Sequence, residues 1–200
     1  MKIGLFFGTF NPVHKGHILI AEYMANETGL DEVWLVVSPQ SPFKKNRELL
    51  KDTVRLKFVK MAIRGHQKLK ASKVEFILPR PSFTINTLNF LTANNPGKKF
   101  AIIIGEDNLK SFFLWKDYKK ILSGFELFVY PRSIAANEKA NVKLPISKSR
   151  FKKFDFPLLD ISSTQIRNLI KKGEKFSQFL PGLVAREIIK KKYYGIRKKV

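Results

Sequence analysis

The chain has 200 residues, 44% of them hydrophobic, with no cysteine and a formal net charge of +22 at pH 7. That length and apolar content exclude a disordered chain and suffice for one buried core, and the absence of cysteine excludes disulfides and thiolate chemistry. No apolar run is long enough to span a bilayer, and a strand pattern starts at once with no signal peptide ahead of it, so a soluble cytoplasmic protein is expected.

Lys2 to Phe7 is a short apolar run suited to a buried strand, and Ile18 to Met24 carries apolar residues around most of a helix ending near Thr28-Gly29. Between them lies Gly8-Thr9-Phe10-Asn11-Pro12-Val13-His14-Lys15-Gly16-His17, a strand-to-helix connection. Gly8 and Gly16 let backbone approach a ligand closely there, and Pro12 stiffens the turn. Glu32 to Val37 reads as a second buried strand, followed by a proline-punctuated loop carrying Lys44 and Lys45. A second helix is expected from Asp52-Thr53, with Asp52 as its cap, Val54, Phe58, Met61 and Ala62 on its apolar face and Gly65 at its close. Arg55 in its first turn opposes the helix dipole unless an anion or carboxylate is near.

Lys73 to Leu78 reads as a third strand, after which Ser82-Phe83-Thr84 opens a helix with Leu88 and Leu91 on one face. Phe100 to Ile104 is an unbroken apolar run typical of a central parallel strand. Gly105-Glu106-Asp107-Asn108 ends it and begins a helix, Lys116 to Leu122 reads as helical, and Phe125 to Tyr130 as a fifth strand. The basic stretch Ser133 to Lys153 reads as a mobile loop before a short strand at Phe156 to Leu159. Ser162, Ser163 and Thr164 then offer N-caps, and Arg167, four residues after Ser163, shares its helix face. The last helix, Leu183 to Tyr194, is expected only to pack.

Strands alternating with helices predict a Rossmann-like, doubly wound parallel sheet with helices on both faces, right-handed crossovers and a small helical C-terminal part. In such sheets ligands bind beyond the carboxyl ends of the strands. Gly8–His17, Pro39–Lys44, Ser82–Thr84, Gly105–Asp107 and Pro131–Arg132 all follow predicted strands and so converge on one rim. One domain over 1–200 is expected, its second part formed by 156–194.

His14 and His17 lie one helical turn apart, at a helix start where free N–H groups and the dipole favour an anion. Two histidines, a lysine and a hydroxyl around such a position point to phosphate chemistry. The competing readings are surface histidines and a metal pair. Zinc, however, takes three or four N/S ligands, and with no cysteine the one other histidine is His66. The +22 charge has three readings: attraction of anionic substrates, non-specific nucleic-acid binding, or solvated lysine-rich faces such as Lys190-Lys191-Lys192.

Gly8 to His17 resembles the nucleotidyltransferase signature whose His-x-Gly-His element meets the transferring phosphate. Ile161-Ser162-Ser163-Thr164-Gln165-Ile166-Arg167 is similar to that superfamily's second phosphate motif. Within the superfamily, Ser82-Phe83-Thr84-Ile85-Asn86-Thr87-Leu88, Gly105-Glu106-Asp107 and Trp115 resemble elements of the bacterial nicotinate mononucleotide adenylyltransferases, and the resemblance runs to about Tyr193. It implies transfer of AMP from ATP to nicotinate mononucleotide, releasing pyrophosphate, in NAD biosynthesis. His17 and His14 would be catalytic. Gly8, Thr9, Phe10, Lys44, Ser162, Ser163 and Arg167 would hold ATP and its phosphates, with Mg²⁺ carried on substrate phosphates and no protein metal site.

On the mononucleotide side the resemblance implies Thr84 amides at the nicotinate carboxylate, Asp107 near a ribose, Trp115 stacked on the pyridine, and Arg132. A core aromatic is the alternative for Trp115, and a plain N-cap for the serines. Phe7, Phe43, Phe83 and Ser133 depart from the family pattern, Phe43 bearing on its neighbour Lys44 and Ser133 on its neighbour Arg132. A nicotinamide mononucleotide or phosphopantetheine adenylyltransferase is the rival within the class, and a basic nucleic-acid-binding protein the rival outside it. The expected partners are ATP and nicotinate mononucleotide, with no specific nucleic acid, no membrane and room for a homo-oligomer.

Overall fold

The computed structural model describes residues 1–39, 49–131, 151–153 and 161–196. Its strands are β1 (Lys2–Gly8), β2 (Glu32–Val37), β3 (Leu69–Ser72), β4 (Lys99–Gly105), β5 (Glu126–Tyr130) and β6 (Phe151–Lys153). Its helices are α1 (Lys15–Glu27), α2 (Asp52–Ala62), α3 (Thr84–Asn94), α4 (Glu106–Lys110), α5 (Tyr118–Gly124), α6 (Ser163–Lys172) and α7 (Gly182–Lys191). The six strands form one sheet in the order β3-β2-β1-β4-β5-β6, and every pair is parallel. None of these helices is long and apolar enough to cross a membrane.

Side chains alternate across a strand, so each strand feeds both faces of the sheet. Ile103 and Phe128 pack on one face with Ile18 and Met24 of α1, Phe58 of α2, Ile166 of α6 and Val184 of α7. Ile102, Ile104, Leu127 and Val129 pack on the other with Leu88 of α3, Leu109 of α4 and Ile121 of α5. Gly4 in the middle of β1 leaves room for the side-chain ends of Leu30 and Ile103, which a Cβ there would approach to 2.6 and 2.8 Å. The strand order reverses between β1 and β4, which makes the carboxyl ends of those two strands the switch point of the sheet.

The doubly wound parallel fold matches the expectation, with local differences. The third strand is Leu69–Ser72, and residues Val74–Phe76, read as strand, form one turn of 3-10 helix. Val74 and Glu75 are neighbours and both buried, which the alternation of a half-exposed edge strand would not allow. The sixth strand, Phe151–Lys153, falls inside the stretch read as a loop, while the strand expected at Phe156 to Leu159 lies outside the described residues. Lys51, rather than Asp52, is the N-cap of α2, and the helix closes at Ile63 before Gly65.

Two buried charged groups sit where this fold was least legible. Arg55 is 1% exposed. Its Nε donates to the carbonyl of Leu50 at 2.9 Å, Nη1 to those of Thr9 (2.6 Å) and Ser38 (2.7 Å), and Nη2 to that of Pro39 (2.8 Å). One side chain thus ties the loop after β1 to the loop after β2 and to the entry of α2. Glu75 is 2% exposed, and its Oε1 accepts the hydroxyl of Thr87 at 2.9 Å. Burial holds the Glu75 carboxyl above the usual carboxylate range, against the hydroxyls of Ser38 and Thr87, which favour its ionised form.

Arg55→Ala leaves these buried carbonyls without donors and should lower stability by on the order of 3 kcal/mol, read from urea unfolding. A loss near zero would mean that water replaces the guanidinium. For Glu75 the sign is set by which form folding disfavours. Ionised Glu75 is penalised in the fold, so the penalty is absent at low pH and grows as pH rises through the ordinary glutamate range. Glu75→Gln should therefore raise the thermal midpoint at neutral pH and converge on the parent protein below about pH 4. A gain that does not depend on pH would assign it to something other than charge.

Candidate active site

At the switch point a crevice, open to solvent, runs along the carboxyl ends of β1 and β4. Gly8, Thr9 and Gly105 form its edges, and Glu75, Thr84 and Trp115 stand on its walls.

The loop from Gly8 to His17 is shaped by its own side chains. Phe10 adopts φ 45° and is 1% exposed, with its ring edge-on to those of Phe6 (5.9 Å) and His17 (5.0 Å). That ring lies over Gly8, where a Cβ would meet it at 3.0 Å. The phenyl group is therefore committed to the core, and what Phe10 can offer a phosphate is its backbone. His14 is the N-cap of α1, and its N–H donates to Nδ1 of His17 at 3.2 Å. The two imidazoles stack at 3.6 Å between centroids, and a Cβ at Gly16 would come within 3.1 Å of the His14 ring. An accepting Nδ1 puts the neutral ring's proton on Nε2 of His17. His14 is buried, whereas His17 keeps partial exposure.

The second motif reaches the same loop from far along the chain. Ser163 Oγ donates to the carbonyl of Pro12 at 2.9 Å, and Arg167 Nη1 to that of Asn11 at 2.8 Å. Ser162 Oγ caps α6 by accepting the N–H of Gln165 at 3.2 Å. The N-termini of α1 and α6 therefore flank one loop, and two helix dipoles place positive potential there. The side chains of Ser162, Ser163 and Arg167 are engaged in building this arrangement. Lys44 and Arg132 lie outside the described residues.

On the other side of the crevice Thr84 is the first residue of α3, after the N-cap Phe83. The Lys116 ammonium sits 4.8 Å from the centre of the Phe83 ring. Trp115 is half-buried against Phe112, 5.0 Å between centroids, and also lines the crevice. Asp107 folds back over Gly105, whose added Cβ would stand 2.6 Å from Asp107 Oδ1. Thr84, Trp115 and Gly105 thus line the crevice, Asp107 is exposed in the first turn of α4 and does not, and Gly8, Thr9, His14, His17, Ser163 and Arg167 meet at the loop beside it.

Sequence reasoning missed the scaffold. It flagged Arg55 only as unfavourably placed, and it passed over Glu75 and Asn11. Asn11 is 1% exposed, and its Oδ1 accepts the N–H of Leu50 at 3.3 Å and the hydroxyl of Tyr194 at 2.9 Å. Its place between Phe10 and the Pro12-Val13 pair was the one available signal.

With this geometry in hand, known proteins can be set beside the chain. The model of the family described as cytidylyltransferase-like matches residues 5–169. A protein of Cytophaga hutchinsonii named "Probable nicotinate-nucleotide adenylyltransferase" is 46% identical, covering 98% of this chain and 99% of its own. One of the same name from Flavobacterium johnsoniae is 44% identical, covering 97% and 99%. The structure of Plasmodium falciparum nicotinic acid mononucleotide adenylyltransferase complexed with NaAD superposes with a TM-score of 0.78 over 98% of both chains, at 18% identity, a likeness of fold. By the span of the family model and by identity along nearly its whole length, the chain belongs to the cytidylyltransferase-like family, together with its nicotinate-nucleotide adenylyltransferase relatives.

Proposed function

We propose that the protein is a nicotinate-nucleotide adenylyltransferase, transferring AMP from ATP to nicotinate mononucleotide to give nicotinate adenine dinucleotide and pyrophosphate. The observation that carries this reading is the meeting of two helix N-termini on one loop, beside a crevice walled by Thr84 and Trp115. The names of relatives at 38–46% identity support it. One nucleotidyltransferase domain over 1–200 belongs to the same reading.

The attacking group is a phosphomonoester, already ionised at neutral pH, so no general base is needed. The protein must align that oxygen with the α-phosphorus and offset the repulsion of two anions. The first turns of α1 and α6 and the backbone of Gly8, Thr9 and Phe10 would face the phosphates, with Lys44 as a further cation. His17 Nε2 would donate to the α-phosphate as charge redistributes, with His14 holding the ring in register. Among the described residues no group of three or more His, Asp or Glu is placed to hold a metal. Mg²⁺ would arrive on the phosphate oxygens of ATP, where it would neutralise charge. Asp107 and Arg132 are assigned to the mononucleotide.

His17→Ala should lower turnover by about 3–4 kcal/mol in barrier height, a hundred- to thousandfold, while ATP binding changes little. Pyrophosphate release reads the first and calorimetry the second; near-normal turnover removes His17 from the mechanism. For the second substrate, N–H donors at the start of α3 suit an anionic carboxylate and leave the NH₂ of a carboxamide facing hydrogens. Nicotinate mononucleotide should beat the nicotinamide form by at least about 2 kcal/mol, around thirtyfold in kcat/KM. Trp115→Ala should weaken both alike. Competition kinetics with the two substrates, and with pantetheine phosphate as a third, decide the matter: equal efficiencies would sink the carboxylate pocket.

A further inference from the structure

The last helix was expected only to pack, yet the turn beyond it reaches the phosphate loop. Tyr194 lies in one turn of 3-10 helix, Tyr193–Gly195, after α7 and outside the span matched by the family model. Its hydroxyl donates to Asn11 Oδ1 at 2.9 Å across 183 residues of sequence. Lys192 (φ 53°) and Tyr194 (φ 62°) are both left-handed without being glycine, a conformation that must be held in place by its surroundings. Tyr193 supplies an apolar hold, its ring edge-on to Phe58 at 5.6 Å. The Tyr194 contact is polar. Its phenol stands within the field of both Arg55 and Arg167, and burial pushes its ionisation well above the usual range, so it remains an O–H donor.

Asn11 is therefore a junction with separate functions for its two oxygens. The backbone oxygen takes Arg167, and the side-chain oxygen takes Leu50 and Tyr194. Removing the Tyr194 donor loosens the hold on the Asn11 side chain, and with it on the loop whose carbonyl takes Arg167. Pro12 and the N-cap His14 follow directly in the chain.

We propose that Tyr194 is a positioning residue for adenylyl transfer, holding Asn11 so that the loop between β1 and α1 meets the phosphates of ATP at the right height. This rests on the reading that the loop takes ATP. It extends the working part of the protein to a stretch that neither phosphate motif includes. The residue acts through Asn11 and need not touch the substrate itself.

Tyr194→Phe tests it, since the ring and its packing stay while the donor goes. The affinity for MgATP, measured by calorimetry without the second substrate, and the KM for ATP should both weaken about tenfold, the size of one buried hydrogen bond. The KM for nicotinate mononucleotide should stay put, and circular dichroism should show a folded protein at the assay temperature. Tyr193→Phe, which alters the neighbouring ring's hydroxyl, should behave as the parent protein. Unchanged ATP constants in Tyr194→Phe would overturn the proposal. So would equal losses for both substrates that merely track the folded fraction, because that is what a purely structural role produces. Failure of ATP to bind the unaltered protein would instead overturn the functional reading, and this one with it.

Discussion

A buried carbonyl needs a donor, and that requirement organises this protein. The loop after β1 can turn amide groups toward an anion only if its carbonyls are satisfied elsewhere. Those of Thr9, Asn11 and Pro12 are met by Arg55, Arg167 and Ser163 respectively. None of these donors is local, since they come from α2 and α6. The helical spacing of Ser163 and Arg167 matches carbonyls of two consecutive loop residues, so the second motif reads here as the complement of the first. Arginine suits this work because its guanidinium spreads several donors over a rigid plane.

The two faces of the sheet have separate tasks. The helices α1, α2, α6 and α7 share one core, and that face carries the phosphate loop with its supports. The helices α3, α4 and α5 share the other core, and from it come Thr84 and Trp115. Each wall of the candidate site thus has its own layer of helices, and the carboxyl ends of β1 and β4 join them. Gly8 and Gly105 end those two strands, each overlain by a side chain two residues on, Phe10 in one case and Asp107 in the other.

Much of this was legible in the residues. Long apolar runs such as Phe100 to Ile104 marked central strands, and the coincidence of glycine, proline and histidine marked the loop. The edges were harder to read. Leu69–Ser72 and Phe151–Lys153 are short and half polar, and become strands because β2 and β5 offer them free edges. Arg55 was visible as an anomaly whose resolution, backbone oxygens from three stretches, depends on tertiary contacts. Tyr194 gave no signal, because nothing local distinguishes a packing tyrosine from one that reaches residue 11. The candidate site was readable in its chemical groups, and its scaffold was not.

The separation of partners bears on how the protein comes to be made. Synthesis runs from the amino end, so β1 is made well before its neighbour β4, which follows nearly a hundred residues later. The carbonyl of Asn11 waits for Arg167, and its side chain for Tyr194. A nascent chain halted before α6 would hold the histidines and Arg55 but lack the Ser163 and Arg167 donors that complete their loop. Fragments left by interrupted translation would thus carry the two-histidine motif on a loop that is only partly held.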